Sequence, residues 1–431
     1  MRKILFILLL IVTQCPLSAQ EHGDNIKYYF DEVNRTAGKY RELWDKDLYG
    51  PFLLIDPGTR AVYANVNDMD GNLEAFGQIY TGYFPEDRVF ANTAIEWGGI
   101  EWAMIMLPLP EDTYDRIGLM IHERFHVLQP ELGFELHNTL NAHLNEMEGR
   151  IFLRLELEAL RAAAAASTDK MVRHHLKNAL AFRKHRHSVY PGAPDEENKM
   201  ELNEGLAEYT GEAACGRPEK EKARNFSNKI NAFYNNPSFS RSFAYQTIPI
   251  YGYLLDRYDA QWNKKIGSDT DMTDFFIDAF EVGLTPEIID NIMDEANDYN
   301  GGKIIDEEED RAREMKKIID DYRRMLISEP HLTIGFESMQ IQFDPRNVVP
   351  LDDAGSVYPI LNVIDNWGVL TVTKAALINT SWTSVTLPAP RSIDTGKASG
   401  DGWDIELKDG YVIIKDEATG NYSVSKRDNG R

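Results

Sequence analysis

Ile121-His122-Glu123-Arg124-Phe125-His126-Val127-Leu128-Gln129 is the stretch on which the reading of this chain turns. Two histidines four residues apart lie on one face of a helix, so their imidazoles can converge on one ion while the carboxylate of Glu123 faces that ion's open side. The flanking residues favour the helix. Asp112 is suited to cap it, and Asp115 falls in the first turn, where an acid is favoured. Ile117, Met120, Ile121 and Leu128 supply apolar positions before Pro130 stops it. A catalytic zinc takes three protein ligands and keeps a further position for water or substrate, so a third ligand must come from elsewhere. Two acids stand out downstream: Glu204 in Leu202-Asn203-Glu204-Gly205-Leu206-Ala207-Glu208-Tyr209, and Glu146 in Asn145-Glu146-Met147-Glu148-Gly149-Arg150.

Upstream, residues 24–46 carry apolar side chains at helical spacing (Tyr28, Tyr29, Val33, Tyr40, Leu43), and Gly50-Pro51 ends that pattern. From Phe52 to Leu109 the runs are short and rich in β-branched and aromatic residues: FLLI, AVYANV, QIYTGYF and EWAMIML. These read as strands, and Trp102–Leu107, bounded by Pro108 and Pro110, is expected at a sheet edge. Beyond Pro110 the texture turns helical, with breaks at Pro130, at Pro191-Gly192 and near Gly216. An alanine run at 162–166 favours helix by propensity. Helix is expected to about Leu326. From His331 the short alternating runs LTIGF, MQIQF, GVLTV and YVIIK predict a separate β-domain. The fold class is therefore α+β. A mixed sheet over 50–109, active-site helices over 112–216 and a helical part over 217–327 precede a C-terminal all-β domain over 328–431.

Residues 1–19 read as an export signal: Arg2 and Lys3, the apolar run Ile4–Val12, then Ser18-Ala19. The run is too short to span a bilayer, which takes roughly 20 residues. The protein is thus expected outside the cytoplasm, periplasmic or extracellular, with no integral membrane span. Lipidation at Cys15 is the less favoured route, because Gln14 suits it poorly. The signal's loss leaves Cys215 as the one cysteine, so an intramolecular disulfide is excluded. A net charge of −23 excludes nucleic acid and anionic membrane surfaces as partners.

The Asn203–Tyr209 stretch, NEGLAEY, resembles the third-ligand helix of the gluzincin zinc peptidases, above all the zinc aminopeptidase group and its thermolysin-like relatives. The resemblance implies a zincin-like peptidase domain over 20–327, with Zn2+ held by His122, His126 and Glu204. Glu208, one turn after Glu204, would orient a zinc-bound histidine. Glu146 is followed four residues later by Arg150, which cannot accept a histidine N–H. In the family the third ligand follows closely on the second histidine. Here Glu204 follows His126 by 78 residues, a gap that an inserted helical hairpin over 131–198 would fill.

Two further likenesses bear on substrate. Gly98-Gly99-Ile100-Glu101-Trp102 resembles the aminopeptidase edge-strand motif Gly-x-Met-Glu-Asn, which implies that Gly99 and Glu101 meet substrate, Glu101 receiving its amino terminus. Trp102 departs from the motif's Asn. YQTIPIYGYLLDRY resembles the family helix whose tyrosine faces the oxyanion. That implies Tyr245, with Tyr251 as the second choice, although Ile248 stands where the family has glycine.

The function these residues imply is zinc-dependent hydrolysis of a peptide or protein substrate, as an aminopeptidase or an endopeptidase. Glu123 would be general base to a zinc-acidified water, and a tyrosine would steady the oxyanion. The rival is a zincin-fold binding or scaffold protein that keeps zinc without turnover. Nothing indicates the oligomeric state. Elsewhere, His174, His175, His185 and His187 lie among Arg173, Arg183, Lys184 and Arg186 and read as a solvated basic helix face. Cys215 reads as a small buried residue, and the pairs Trp97/Trp102 and Trp367/Trp382 as packing.

Overall fold

The computed structural model of the chain describes residues 17–427, except 138, 345 and 346. The expected export signal and Cys15 lie outside the described residues, apart from positions 17–19, which open the first helix. The architecture is α+β. Helix α1 (Leu17–Ala37) buries Ile26, Phe30, Val33 and Ala37. It precedes six strands: β1 (Phe52–Ile55), β2 (Ala61–Ala64), β3 (Leu73–Phe76), β4 (Ile79–Tyr83), β5 (Thr93–Trp97) and β6 (Ile100–Met106). They form one sheet in the order β3-β4-β2-β1-β6-β5, with β1 parallel to β6 and every other pair antiparallel.

The expected edge position of Trp102–Leu107 is corrected here. Gly98 and Gly99 have φ of +59° and +72°, the left-handed geometry of a two-residue hairpin turn, and they fold β5 back along β6. The outer place therefore falls to β5. Pro108 and Pro110 lie past the end of β6 and remove no ladder hydrogen bond.

Helix α2 (Thr113–Leu128) lies on this sheet. The Asp112 side chain caps it, accepting from the backbone N–H groups of Tyr114 and Asp115 at 2.9 and 3.0 Å. Ile117, Met120, Ile121 and Phe125 are buried in the main core. The residues that separate α2 from Glu204 include the antiparallel hairpin of α3 (Met147–Ala165) and α4 (Asp169–Val189), followed by α5 (Ala193–Met200). A π-helical segment, Glu201–Gly205, then continues without a break into α6 (Leu206–Ala214). Helices α2 and α6 cross at two glycines, and a Cβ on Gly211 would stand 2.6 Å from the Gly118 carbonyl oxygen. This contact lets the helix that carries His122 and His126 approach the helix that carries Glu208 backbone to backbone.

Helices α7 (Glu219–Phe233), α8 (Ala244–Leu255), α9 (Met272–Ala279), α10 (Pro286–Asp290) and α11 (Gly301–Arg323) complete the helical part. From His331 onward two antiparallel-rich sheets of seven and six strands pack into a sandwich. Leu332, Ile334, Val363, Trp367, Leu370, Trp403 and Ile405 lie in its core. Alternate residues of Gly368–Val372 are buried and exposed, the period-two pattern legible in GVLTV. Several contacts fasten the sandwich to the rest of the chain, among them those of Gln340 and of helix α11. The Gln340 amide donates to the Asp87 carbonyl and accepts from the Val89 N–H, at 2.9 and 3.1 Å. Met315, Ile319 and Tyr322 of α11 pack against Val349, Leu351 and Leu377. Among the described residues, no helix is long and apolar enough to cross a membrane.

Candidate metal centre

The helical period of α2 sets His122 and His126 one turn apart, with their Nε2 atoms 3.1 Å from each other. Glu204, on the π segment, brings Oε2 to 3.6 Å from His122 Nε2 and 3.4 Å from His126 Nε2. A tetrahedral zinc with bonds of about 2.0–2.2 Å spaces its ligand atoms about 3.3–3.6 Å apart; the two Glu204 separations fall in that range and the 3.1 Å between the imidazole nitrogens lies just below it. Glu146, the rival third ligand, is an exposed residue at the start of α3 and makes no contact with the histidines.

Each imidazole is steered through its other nitrogen. His122 Nδ1 lies 3.0 Å from Glu208 Oε2, and His126 Nδ1 lies 2.7 Å from Gln129 Oε1. A carboxylate or amide oxygen there fixes the tautomer that leaves Nε2 free to bind metal. Gln129 is fully buried, and its amide nitrogen donates to the carbonyls of Leu202 and Asn203, at 3.0 and 2.8 Å. One side chain thus ties His126 to the segment bearing Glu204. Glu208 also receives Lys229 Nζ at 2.7 Å, and the same ammonium reaches Glu212.

The electrostatics suit a bound cation. Of the carboxylates Glu123, Glu204, Glu208 and Glu212, buried or half-buried, the ammonium of Lys229 pairs with Glu208 and Glu212. Burial pushes the Glu123 carboxyl up from its ordinary range, and its Oε2 has no hydrogen-bond partner among the described residues. Burial opposes charge on His122, but hydrogen bonds to Glu204 and Glu208 outweigh it and push that imidazole up to about 10. Glu208 is likewise resisted by burial, yet Lys229 and His122 draw it down to about 2. A divalent ion among the three donor atoms would satisfy what the protons now satisfy.

No family model, curated protein or solved structure matches this chain.

The two candidate tyrosines separate clearly. Tyr245 donates its hydroxyl to Glu204 Oε2 at 2.5 Å and stacks on His122 with ring centroids 5.4 Å apart. Tyr251 is not brought to the site. Six residues further along α8 amount to about 240° of helical rotation, and its hydroxyl bonds Glu156 Oε1 at 3.0 Å instead. Gly99 occupies the β5–β6 turn. Glu101 stands exposed near the start of β6, opposite Glu96, and joins none of His122, His126 and Glu204 by hydrogen bond or ion pair.

The helix face expected to be basic and solvated is corrected as well. Arg183 and Arg186 are wholly buried, because that face of α4 meets Glu156 of α3, Glu197 of α5 and Glu201 of the π segment. His187 is buried with them against Glu197. His174 does face solvent, with Glu295 and Asp298 nearby, all three exposed.

Gln129 and Lys229 escape a reading of the sequence. Gln129 has a signal there, a polar residue three positions after the second histidine at the buried end of the helix. Lys229 has none, since nothing in its neighbourhood marks it among the lysines of α7.

Proposed function

We propose that this chain is an exported, zinc-dependent peptidase of the gluzincin kind. The observation that carries the reading is the convergence of His122 Nε2, His126 Nε2 and Glu204 Oε2 at 3.1–3.6 Å from one another, with the unpartnered carboxylate oxygen of Glu123 on a residue between the two histidines. His122, His126 and Glu204 would hold the metal, and a zinc ion there would polarise a carbonyl and acidify water toward neutral pH.

The remaining roles belong to the chain's own side chains. Glu123, its pKa raised by burial, is fitted to take a proton from the attacking water and return it to the leaving amine. Tyr245, its hydroxyl beside Glu204, is fitted to donate to the oxygen that gains charge as the carbonyl is attacked. Glu208 and Gln129 keep the imidazoles oriented. The resemblance to aminopeptidases through Glu101 lacks a contact between that residue and the ligands, so endopeptidase action stands equally open.

Metal analysis of the purified protein, joined to a peptide-library cleavage assay with and without chelator, tests the proposal. About one zinc per chain and chelator-sensitive cleavage are expected. Glu123→Gln should keep the metal and lose at least ~100-fold in turnover, as removal of a general base does. Metal without any cleavage would move the chain to the scaffold reading. Hydrolysis of N-blocked peptides would assign it as an endopeptidase.

A further inference from the structure

Glu204 is aimed by a segment whose winding is unusual. Leu206 N–H bonds the Glu201 carbonyl, the i→i+5 pattern of a π turn, in which each residue advances by less rotation than in an α-helix. Such a turn is poorly stable alone and persists where its surroundings hold it. Two features hold this one. Gly205 admits helix α8, since a Cβ there would stand 2.5 Å from a side-chain carbon of Ile248. The other is Glu201, three residues before the ligand. Its two oxygens accept from Arg183 Nη2 and Nη1 at 2.7 and 3.0 Å, and Oε1 also accepts from the Thr247 hydroxyl at 2.7 Å.

Arg183 is itself fixed. Its Nε donates to Glu156 Oε1 at 2.7 Å, and the other Glu156 oxygen accepts from Arg186 at 2.9 Å. Arg186 grips both oxygens of Glu197 at 2.7 Å, one turn ahead of Glu201. Two arginines on one face of the hairpin therefore clamp two successive turns of the ligand helix.

We propose that Arg183, acting through Glu201, is a positioning residue for the metal: its planar fork keeps Glu201–Gly205 in the π winding that turns Glu204 toward His122 and His126. The inserted hairpin is then part of the metal centre's support, which gives the 78-residue gap between His126 and Glu204 a purpose. A bidentate guanidinium suits this task where a lysine does not, because two parallel N–H···O bonds fix the carboxylate plane as well as its place. The inference rests on the metal reading of the site.

The test compares the full-length wild type with Arg183→Lys, Glu201→Gln and Thr247→Val, and with Arg150→Lys as a control that disturbs a buried arginine paired with Glu308 instead. Zinc affinity is measured by competition with a chromogenic chelator, the visible spectrum of the cobalt-loaded protein is recorded, and thermal melting checks folding. Glu201→Gln and Arg183→Lys should weaken zinc by 10–100-fold, the range seen when an outer partner of a ligand is removed. Their cobalt bands should shift. Thr247→Val should do the same to a smaller degree, and it decides the matter where Arg183→Lys fails to fold. Arg150→Lys should lose thermal stability while keeping affinity and spectrum. Folded Glu201→Gln and Thr247→Val variants with wild-type affinity and cobalt bands would overturn the proposal, as would an equal loss in Arg150→Lys. A wild type that binds neither zinc nor cobalt would sink the metal reading itself.

Discussion

The two clusters of buried charge on either side of the segment from Glu197 to Glu208 differ in how their charges are met. On the hairpin side, Arg183 and Arg186 face Glu156, Glu197 and Glu201. Every one of those six carboxylate oxygens has a partner, supplied by the two guanidiniums, His143, His187, Thr247 or Tyr251. On the α2 side, three donor atoms converge, Glu123 Oε2 has no partner among the described residues, and the ammonium of Lys229 reaches Glu208 and Glu212 but neither Glu123 nor Glu204. The first cluster is closed and needs nothing further. The second is closed only by adding positive charge, as protons on His122 or as a metal. Unmet valence, not depth, therefore separates a site from a structural ion network, since the closed cluster is the deeper of the two: its arginine and glutamate side chains are at most 2% exposed, against 11–20% for His126, Glu204 and Glu208.

The largest effect that could break this contrast is loss of metal from the open cluster. Glu204→Ala removes one of three donor atoms and should reduce bound zinc from about one per chain to near background by metal analysis. That is a loss beyond the 10–100-fold typical of outer partners. Glu146→Ala should leave zinc content unchanged. Zinc depletion by Glu146→Ala alone would mean that the open cluster is not the metal site.

The closed cluster should answer in stability. Arg186→Met leaves Glu197 and Glu156 buried with fewer counter-charges, and breaking a buried pair from one side costs about 3–5 kcal/mol. Urea unfolding should show the drop as a lower midpoint at unchanged slope. A loss below about 1 kcal/mol would show that the network is solvated in solution and would erase the distinction between the clusters.

How much of the fold and site is legible in the sequence depends on the range of each interaction. His122, Glu123 and His126 are readable because one helical period fixes their relation, whatever the rest of the chain does. Glu204 is readable only through a likeness to known ligand helices, and spacing alone favours Glu146. The contact that decides between them depends on a hairpin folding out of the way, and no local pattern records that. Arg183 and Arg186 mislead for the same reason. A run of cations looks solvated unless the carboxylates that meet it are known, and these come from three separate elements. The edge strand is misplaced when the proline signal at 108 and 110 is weighed above the Gly98-Gly99 turn, which sets strand order. Tyr245 is placed ahead of Tyr251 in the sequence only by the family likeness, because the rotation of α8 relative to α6, which decides between them, leaves no local pattern.

The smallest expected effect sharpens the contrast through pH. In the metal-free protein, hydrogen bonds to Glu204 and Glu208 overcome burial and hold His122 at about 10, above its ordinary 6.5. A group raised on folding contributes stability that is complete below about 6.5 and disappears as pH climbs through about 10. Glu197 in the closed cluster shows the opposite sign. Burial works against its charge, but Arg186 and His187 hold it well below the ordinary carboxylate range, so its contribution persists at all higher pH and is lost only in acid. Metal-free protein should therefore melt progressively lower from pH 7 to pH 10. Glu208→Gln, which removes one of the charges that hold the His122 proton, should flatten that slope. Saturating zinc should abolish it, since the ion takes the place of the proton. A metal-free protein whose melting temperature is level across that window would show that His122 is not held by Glu204 and Glu208, and that the open cluster has some other means of balancing its charge.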